Sequence, residues 1–251
     1  MLRVILNGCN GAMGRVLDQV IAQEADVTVV AGVDLKPDDS LSYPVFTSLA
    51  DCNVEADAVI DFTVAAATDA VLEACREKKI PLVLATTGLS KEQLDHVSEA
   101  AKEIPLVQSF NMSLGINTLA KVLEQISPLL AEAGFDIEIV ERHHRKKVDA
   151  PSGTALLLAN AANRALDEKC HYVYDRSSVR QKRDPYEIGI SAVRGGTIVG
   201  VHDVIFAGED EVIELNHQAF SKAVFAKGAI TAAKFLQQKE PGYYTMRDVI
   251  G

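Results

Sequence analysis

Leu2-Arg3-Val4-Ile5-Leu6-Asn7-Gly8-Cys9-Asn10-Gly11-Ala12-Met13-Gly14 opens the chain as a short apolar strand running straight into three glycines. Val16, Leu17, Val20 and Ile21 follow at helical spacing. Glycines between a strand and a helix allow a tight turn. They also let backbone N–H groups approach a pyrophosphate at the positive end of the helix. The common dinucleotide pattern is Gly-x-Gly-x-x-Gly; here the loop is one residue longer before its last two glycines. Val27–Val33 is then a continuous β-branched run ending at Asp34, twenty positions after Gly14, where an acid that binds a ribose belongs. Gly8, Cys9, Asn10, Gly11, Ala12, Met13 and Asp34 are therefore candidate cofactor contacts. A carboxylate repels a 2′-phosphate, so Asp34 favours NADH. Lys36, two residues on, is placed to accommodate NADPH, so the expectation is use of both, with NADH preferred or equal.

The same alternation continues outward. Residues 58–62 and 82–85 read as strands, with helices over 65–79 and 90–103. Continuous apolar strands between helices imply a doubly wound parallel sheet covered on both faces, a Rossmann-type α/β fold. Ligands of such sheets lie beyond the carboxyl ends of the strands. Those ends carry Asp61-Phe62-Thr63, Ala85-Thr86-Thr87-Gly88 and Ser109-Phe110-Asn111-Met112. Past Asn111 the pattern changes. A long helix over 114–130, a strand over 135–140 and a helix over 152–165 precede strand-like runs at 188–193, 197–207 and 212–219, with Gly208-Glu209-Asp210 as a hairpin turn. This is an α+β block with a mainly antiparallel sheet. A helix over 221–238 ends before Pro241-Gly242, and the tail 244–250 reads as a short strand. The expected division is a dinucleotide-binding domain of residues 1–112 and 221–251, with 113–220 inserted as a substrate-binding domain.

The chain has 251 residues and a formal charge of -10, which argues against wholesale nucleic-acid binding. Its apolar runs fall short of the roughly 18–20 residues of a membrane helix. The four cysteines (Cys9, Cys52, Cys75, Cys170) have no metal or redox spacing and read as reduced thiols of a cytoplasmic protein. No metal site is expected.

One local run departs from that acidic balance: Glu141-Arg-His-His-Arg-Lys-Lys-Val-Asp-Ala-Pro-Ser-Gly-Thr-Ala155. Pro151 suits the first turn of a helix. Ser152, Gly153 and Thr154 would then offer N–H groups to a carboxylate, with no Cβ at Gly153 in the way. Lys147 is suited to supply a point charge or a proton. Adjacent histidines point opposite ways on a strand, so His143 and His144 should have different tasks, and they make a poor metal pair. Histidine is the usual proton donor near neutral pH. Arg142, Arg145 and Lys146 are equally well read as a solvated charged face. Together these residues imply a nicotinamide-dependent oxidoreductase acting on a small carboxylate-bearing substrate.

The chain resembles the 4-hydroxy-tetrahydrodipicolinate reductase (dihydrodipicolinate reductase) family of bacterial lysine and diaminopimelate synthesis. The resemblance rests on Glu141-x-His-His-x-x-Lys-x-Asp-Ala-Pro-Ser-Gly-Thr-Ala155. It extends through Gly8–Gly14, Asp61-Phe-Thr63, Thr86-Thr-Gly88, Asn111-Met-Ser113, Arg194-Gly-Gly196 and Gly200-x-His202 to essentially the whole chain. It implies His143 and Lys147 as proton-transfer residues, either of which could supply the proton. It implies substrate-carboxylate contacts at His144, Lys147, Ser152, Gly153 and Thr154. Cofactor contacts are implied at Gly8–Met13, Asp34, Ala85, Thr86, Thr87, Ser109, Phe110, Asn111 and Met112. It also implies NADH or NADPH as cofactor, a cyclic dicarboxylate substrate, and a homotetramer built through the substrate domain. Ala85 and Met112 stand where the family often has glycine and phenylalanine. Two rival readings share the first domain: a related two-domain dehydrogenase for a sugar or amino acid, and a nucleotide-sensing regulator. Neither needs His-His-x-x-Lys beside Pro-Ser-Gly-Thr.

Overall fold

The computed structural model describes residues 1–177 and 180–251. It divides into two compact units, Met1–Leu114 with Lys222–Gly251, and Gly115–Ser221. In chain order the first stretch is β1 (Leu2–Asn7), α1 (Ala12–Ile21), β2 (Val27–Val33), β3 (Val45–Phe46), β4 (Ala58–Asp61), α2 (Thr68–Lys78), β5 (Leu82–Leu84), α3 (Lys91–Ala100) and β6 (Pro105–Gln108). Next come α4 (Leu114–Glu132), β7 (Asp136–His143), α5 (Gly153–Ala165), β8 (His171–Val173), β9 (Glu187–Arg194), β10 (Gly200–Ala207) and β11 (Val212–Ala219). The chain closes with α6 (Ala223–Leu236), β12 (Gly242–Tyr244) and α7 (Met246–Ile250).

In the first unit seven parallel strands lie in the order β12-β6-β5-β4-β1-β2-β3. Side chains alternate between faces, and both faces are covered. Leu2, Val4, Leu6, Ala58, Ile60, Val83 and Val107 share one core with α1 and α6, while Ile5, Val59, Leu82, Leu84 and Leu106 share the other with α2 and α3. Each such large apolar side chain contributes about 1.5–3 kcal/mol when buried. Helix α6 buries Ala226, Ala229, Ala232 and Ala233. Small residues there let the helix lie close to its neighbours, and a Cβ on Gly228 would run into the Met112 carbonyl. β1 sits between β2 and β4, so the order reverses at the glycine loop, which is where such sheets bind ligands.

The tail is not one strand. Gly242–Tyr244 joins β6 in parallel, and Met246–Ile250 is a short helix. The reason is local: Thr245 and Asp248 form a capping box that starts a helix where β-branched residues alone suggested extension.

The second unit is a mixed five-stranded sheet in the order β11-β10-β7-β9-β8. β10 runs antiparallel to both β7 and β11, and the β10–β11 connection is the expected hairpin. β9 lies parallel to β7 and β8. Helices α4 and α5 cover one face. Their core joins Ile116, Leu123, Leu158 and Ala162 to Ile137 and Ile139 of β7, Ile188 and Ile190 of β9, and Val204 and Phe206 of β10.

Candidate active site

The candidate functional side chains of the second unit continue that apolar row. Along β7 the buried positions are Ile137, Ile139, Glu141 and His143, every second residue. His202 lies on the Val204–Phe206 face of β10, directly across from Glu141 in register. Arg194 lies on the Ile188–Ile190 row of β9, across from His143. A period-two row that is apolar at one end therefore becomes ionisable at the other.

These groups form one network. Arg194 grips Glu141 with both arms, Nη1 to Oε2 and Nη2 to Oε1, each at 2.7 Å. Arg194 Nη2 also donates to the Asp149 carbonyl at 2.6 Å. The Ser152 amide donates to Glu141 Oε1 at 2.9 Å, and His143 Nδ1 lies 2.6 Å from Oε2. Burial raises the Glu141 pKa, but the bonds from Arg194, His143 and Ser152 outweigh it and hold the carboxyl below its ordinary value. A carboxylate so held can only accept, which puts a proton on His143 Nδ1 and directs Nε2 away from Glu141. Burial lowers the His143 pKa, against the opposing pull of Glu141. His202 stands edge-on to His143 at 5.1 Å between ring centres. Burial, then His143, pushes His202 down to about 3.

The helix start lies beside this network. Pro151 precedes the cap instead of entering the first turn. Ser152 is the N-cap of α5, its hydroxyl accepting from the Ala155 amide at 3.1 Å and meeting His202 Nε2 at 3.0 Å. The Ser152 amide, expected to face a ligand, is already committed to Glu141. In front of Gly153 the space is open, and a Cβ there would meet nothing within 4 Å. His144 follows the end of β7, half-buried, and its carbonyl accepts from the Lys147 amide at 3.1 Å. That turn brings Lys147 back, with Nζ donating to Asp149 Oδ1 at 2.8 Å. Arg142 faces the other side of β7 and pairs with Asp203, while Arg145 and Lys146 are exposed.

In the first unit the glycine loop and Asp34 line a cavity of about 470 Å³ with Asn7, Val33, Thr63 and Val64. Gly8 has φ of +85°, a conformation that favours glycine. A Cβ on Gly14 would collide with the Gly8 carbonyl, so its closeness to the loop requires glycine. Asp34 accepts from the amides of Asn10 at 2.9 Å and Leu35 at 2.8 Å. Lys36 is exposed, and its carbonyl accepts from Asn10 Nδ2. Cys9 and Met112 are buried in the core and so offer backbone only, whereas Gly11, Ala12, Thr87 and Phe110 are exposed and Met13 is half-buried. Ser109 and Asn111 are buried and bond within their own turn, Asn111 Oδ1 accepting from the Ser113 amide. Thr86 is buried, and Ala85 sits just before it, also buried.

Glu141, Arg194 and His202 have no task assigned from the sequence, and Asp61 is placed there only as part of a strand end facing ligands. Asp61 is fully buried and accepts from Asn7 Nδ2 at 2.7 Å, Thr63 Oγ1 at 2.8 Å and Thr86 Oγ1 at 2.5 Å, joining three strand ends. The signal for Glu141 was present in Ile137-x-Ile139-x-Glu141-x-His143. A charged residue in phase with a buried row needs partners. Among the described residues no cluster of metal-ligating side chains occurs. No helix of these residues is long and apolar enough to cross a membrane.

A doubly wound parallel sheet with a glycine loop, and a carboxylate-oriented histidine near a lysine, define a pyridine-nucleotide-dependent oxidoreductase. Two family models match the chain: "Dihydrodipicolinate reductase, N-terminus" over residues 2–112 and "Dihydrodipicolinate reductase, C-terminus" over residues 115–250. The 4-hydroxy-tetrahydrodipicolinate reductase of Caldanaerobacter subterraneus subsp. tengcongensis is 52% identical over 250 residues, covering 100% of this chain and 98% of that protein. The enzyme of the same name from Clostridium novyi is 48% identical over 250 residues, with the same coverage. The dipicolinate-bound dihydrodipicolinate reductase of Paenisporosarcina sp. TG-14 shares the fold, with a TM-score of 0.82 at 23% identity over 99% of both chains. The chain belongs to the dihydrodipicolinate reductase family.

Proposed function

We propose that the chain carries out the pyridine-nucleotide-dependent reduction of 4-hydroxy-tetrahydrodipicolinate to tetrahydrodipicolinate, a step of the diaminopimelate route to lysine. The observation that carries the reading is His143, oriented by a buried carboxylate beside the open helix start at Gly153. Overall the substrate gains a hydride and a proton and loses water. The loop Gly8–Met13 with Asp34 fits a dinucleotide, because its glycines leave room for a pyrophosphate at the start of α1. Ala85–Thr87 and Ser109–Met112 supply further backbone and hydroxyl groups to it. Reduced nicotinamide, when bound, supplies the hydride.

The chain's own groups do the rest. Lys147, His144 and the Gly153–Thr154 helix start hold the substrate carboxylates, with Ser152 supporting that start from beneath. His143 Nε2 or Lys147 Nζ delivers the proton, and the cations stabilise the charge that hydride brings. Asp34 favours NADH, and Lys36 admits NADPH. The working form is a cytoplasmic homotetramer. Its assembly through the second unit is supported by the face of that sheet that α4 and α5 leave uncovered, where Val212 of β11 and Val193 of β9 are exposed, as is Phe220 just past β11. Sedimentation equilibrium should give four chains per particle, and a monomer would refute the assembly.

The activity is tested by mixing the protein with aspartate semialdehyde, pyruvate, the upstream synthase and NADH. Loss of nicotinamide absorbance should need every component. Unchanged absorbance in the complete mixture would overturn the reading, as would equal consumption without the synthase.

A further inference from the structure

The four acceptor positions of Glu141 are all taken. Oε1 accepts from Arg194 Nη2 and the Ser152 amide; Oε2 accepts from Arg194 Nη1 and faces His143 Nδ1. A carboxylate offers about four lone-pair sites, so nothing remains for solvent or substrate, and the side chain is fully buried. Such a group does not touch the reacting atoms. Yet it costs several kcal/mol to desolvate a carboxylate, a penalty offset here by a two-armed arginine and two further donors. The one partner of Glu141 that also has a titratable nitrogen elsewhere is His143. We propose that Glu141, clamped by Arg194 and the Ser152 amide, is a positioning residue that fixes His143 as the Nδ1–H tautomer and so reserves Nε2 for proton transfer. The proposal rests on the reading of His143 as a proton-transfer residue.

Three further observations agree. Arg194 is itself anchored, since its Nη2 also donates to the Asp149 carbonyl at 2.6 Å, so the clamp cannot swing freely. The Gly195 amide donates to the His143 carbonyl at 2.9 Å, fixing the backbone beneath the ring. A Cβ on Gly200 would stand 3.1 Å from His143 Nε2, so the strand beside that nitrogen carries no side chain to cover it. The charged and titratable neighbours of His143 are Glu141, Lys147, Arg194 and His202. Of these only Glu141 favours the protonated ring.

The acceptor count makes the test sharp. Glu141→Gln replaces one oxygen with an NH₂ group. If its oxygen keeps the Ser152 amide and Arg194 Nη2, its NH₂ meets His143. The ring can answer only by moving its proton to Nε2. Nitrogen NMR of the full-length protein, labelled at its six histidines, reads that tautomer directly. Wild type should show His143 as Nδ1–H near neutral pH, and Glu141→Gln should show Nε2–H. Turnover should fall about 10²–10⁴-fold, the usual loss when a general acid is disabled. The double variant Glu141→Gln/His143→Ala should then be no slower than His143→Ala alone, because the two act as one unit.

A Glu141→Gln protein that keeps the Nδ1–H signal and turns over within threefold of wild type refutes the proposal. So does a double variant slowed by the product of the two single effects. If His143→Ala itself keeps its turnover, the reading of His143 fails. The tautomer measurement then still decides whether Glu141 positions the ring. Should Glu141→Gln fail to fold, Arg194→Lys decides. It keeps a cation on the carboxylate but with one arm. It should retain the Nδ1–H signal with turnover down about tenfold, the cost of about 1.4 kcal/mol in positioning. Unchanged turnover refutes the clamp.

Discussion

Glu141 and His143 stand two residues apart on one face of β7, with Oε2 2.6 Å from Nδ1. A strand repeats its side-chain direction every second residue, so this spacing alone brings the pair together without help from a loop. The neighbouring strands complete the environment in register, His202 across from Glu141 and Arg194 across from His143. The placing of His143, the proposed proton-transfer residue, is thus a property of a sheet, which holds it more rigidly than a loop would.

Acid should destabilise the protein before its carboxylates titrate. Burial lowers the pKa of His143, His202 and His217, with His202 pushed to about 3. The unfolded chain binds those protons near 6.5, so below about pH 6.5 it holds more protons than the folded chain and stability falls. His202 alone should remove about 2 kcal/mol by pH 5, since each pH unit in that window is worth about 1.4 kcal/mol. Thermal unfolding between pH 7 and pH 5 should show the drop, and His202→Gln should flatten it. A pH-independent Tm for wild type would contradict the burial argument.

Asp61 ties together the ends of β1, β4 and β5, and Asn7 and Thr63 among its partners line the cavity beside the glycine loop. Asp61→Ala leaves the Asn7, Thr63 and Thr86 donors without their acceptor. The expected cost is about 3 kcal/mol of stability, with weaker NADH binding by at least about tenfold. Calorimetry of unfolding and an NADH titration check the two effects. A variant with unaltered NADH affinity would show that the loops hold their shape without the carboxylate.

Gly228 sits inside α6, where helix propensity favours alanine by about 1 kcal/mol. The structure reverses that sign, because a Cβ there would strike the Met112 carbonyl. Gly228→Ala should destabilise by about 2 kcal/mol or more. A higher Tm in this variant would mean that α6 lies farther from the Met112 turn.

Nucleotide choice should depend on Lys36. It is exposed, two residues past Asp34. Lys36→Ala should raise the KM for NADPH several-fold and leave that for NADH near its original value. Equal NADPH kinetics before and after the change would remove Lys36 from the account.

The doubly wound sheet was legible because its strands are continuous apolar runs and its loop carries glycines at Gly8, Gly11 and Gly14. The hairpin at 208–210 was legible from turn residues. Two short pairings were not: Val45–Phe46 and His171–Val173 are strands of two and three residues, too brief for any period to register. The parallel course of β9 was hidden as well, since a strand's direction is set by the connection leading into it and not by its own residues. In the candidate site, the residues proposed to carry protons, His143 and Lys147, announced themselves by type. Those that orient them did not, because Arg194 and His202 reach Glu141 and His143 only through strand register, across more than fifty residues of chain. Ser152 shows the same gap: its type marked a helix cap, but only the fold shows its amide turned to Glu141.

The most direct test of the account is turnover of His143→Ala in the coupled assay, at saturating NADH and dicarboxylate. The expected kcat is lower by about 10²–10⁴-fold with a modest change in substrate KM, the signature of a lost proton donor. A folded His143→Ala protein with kcat within threefold of wild type would contradict it.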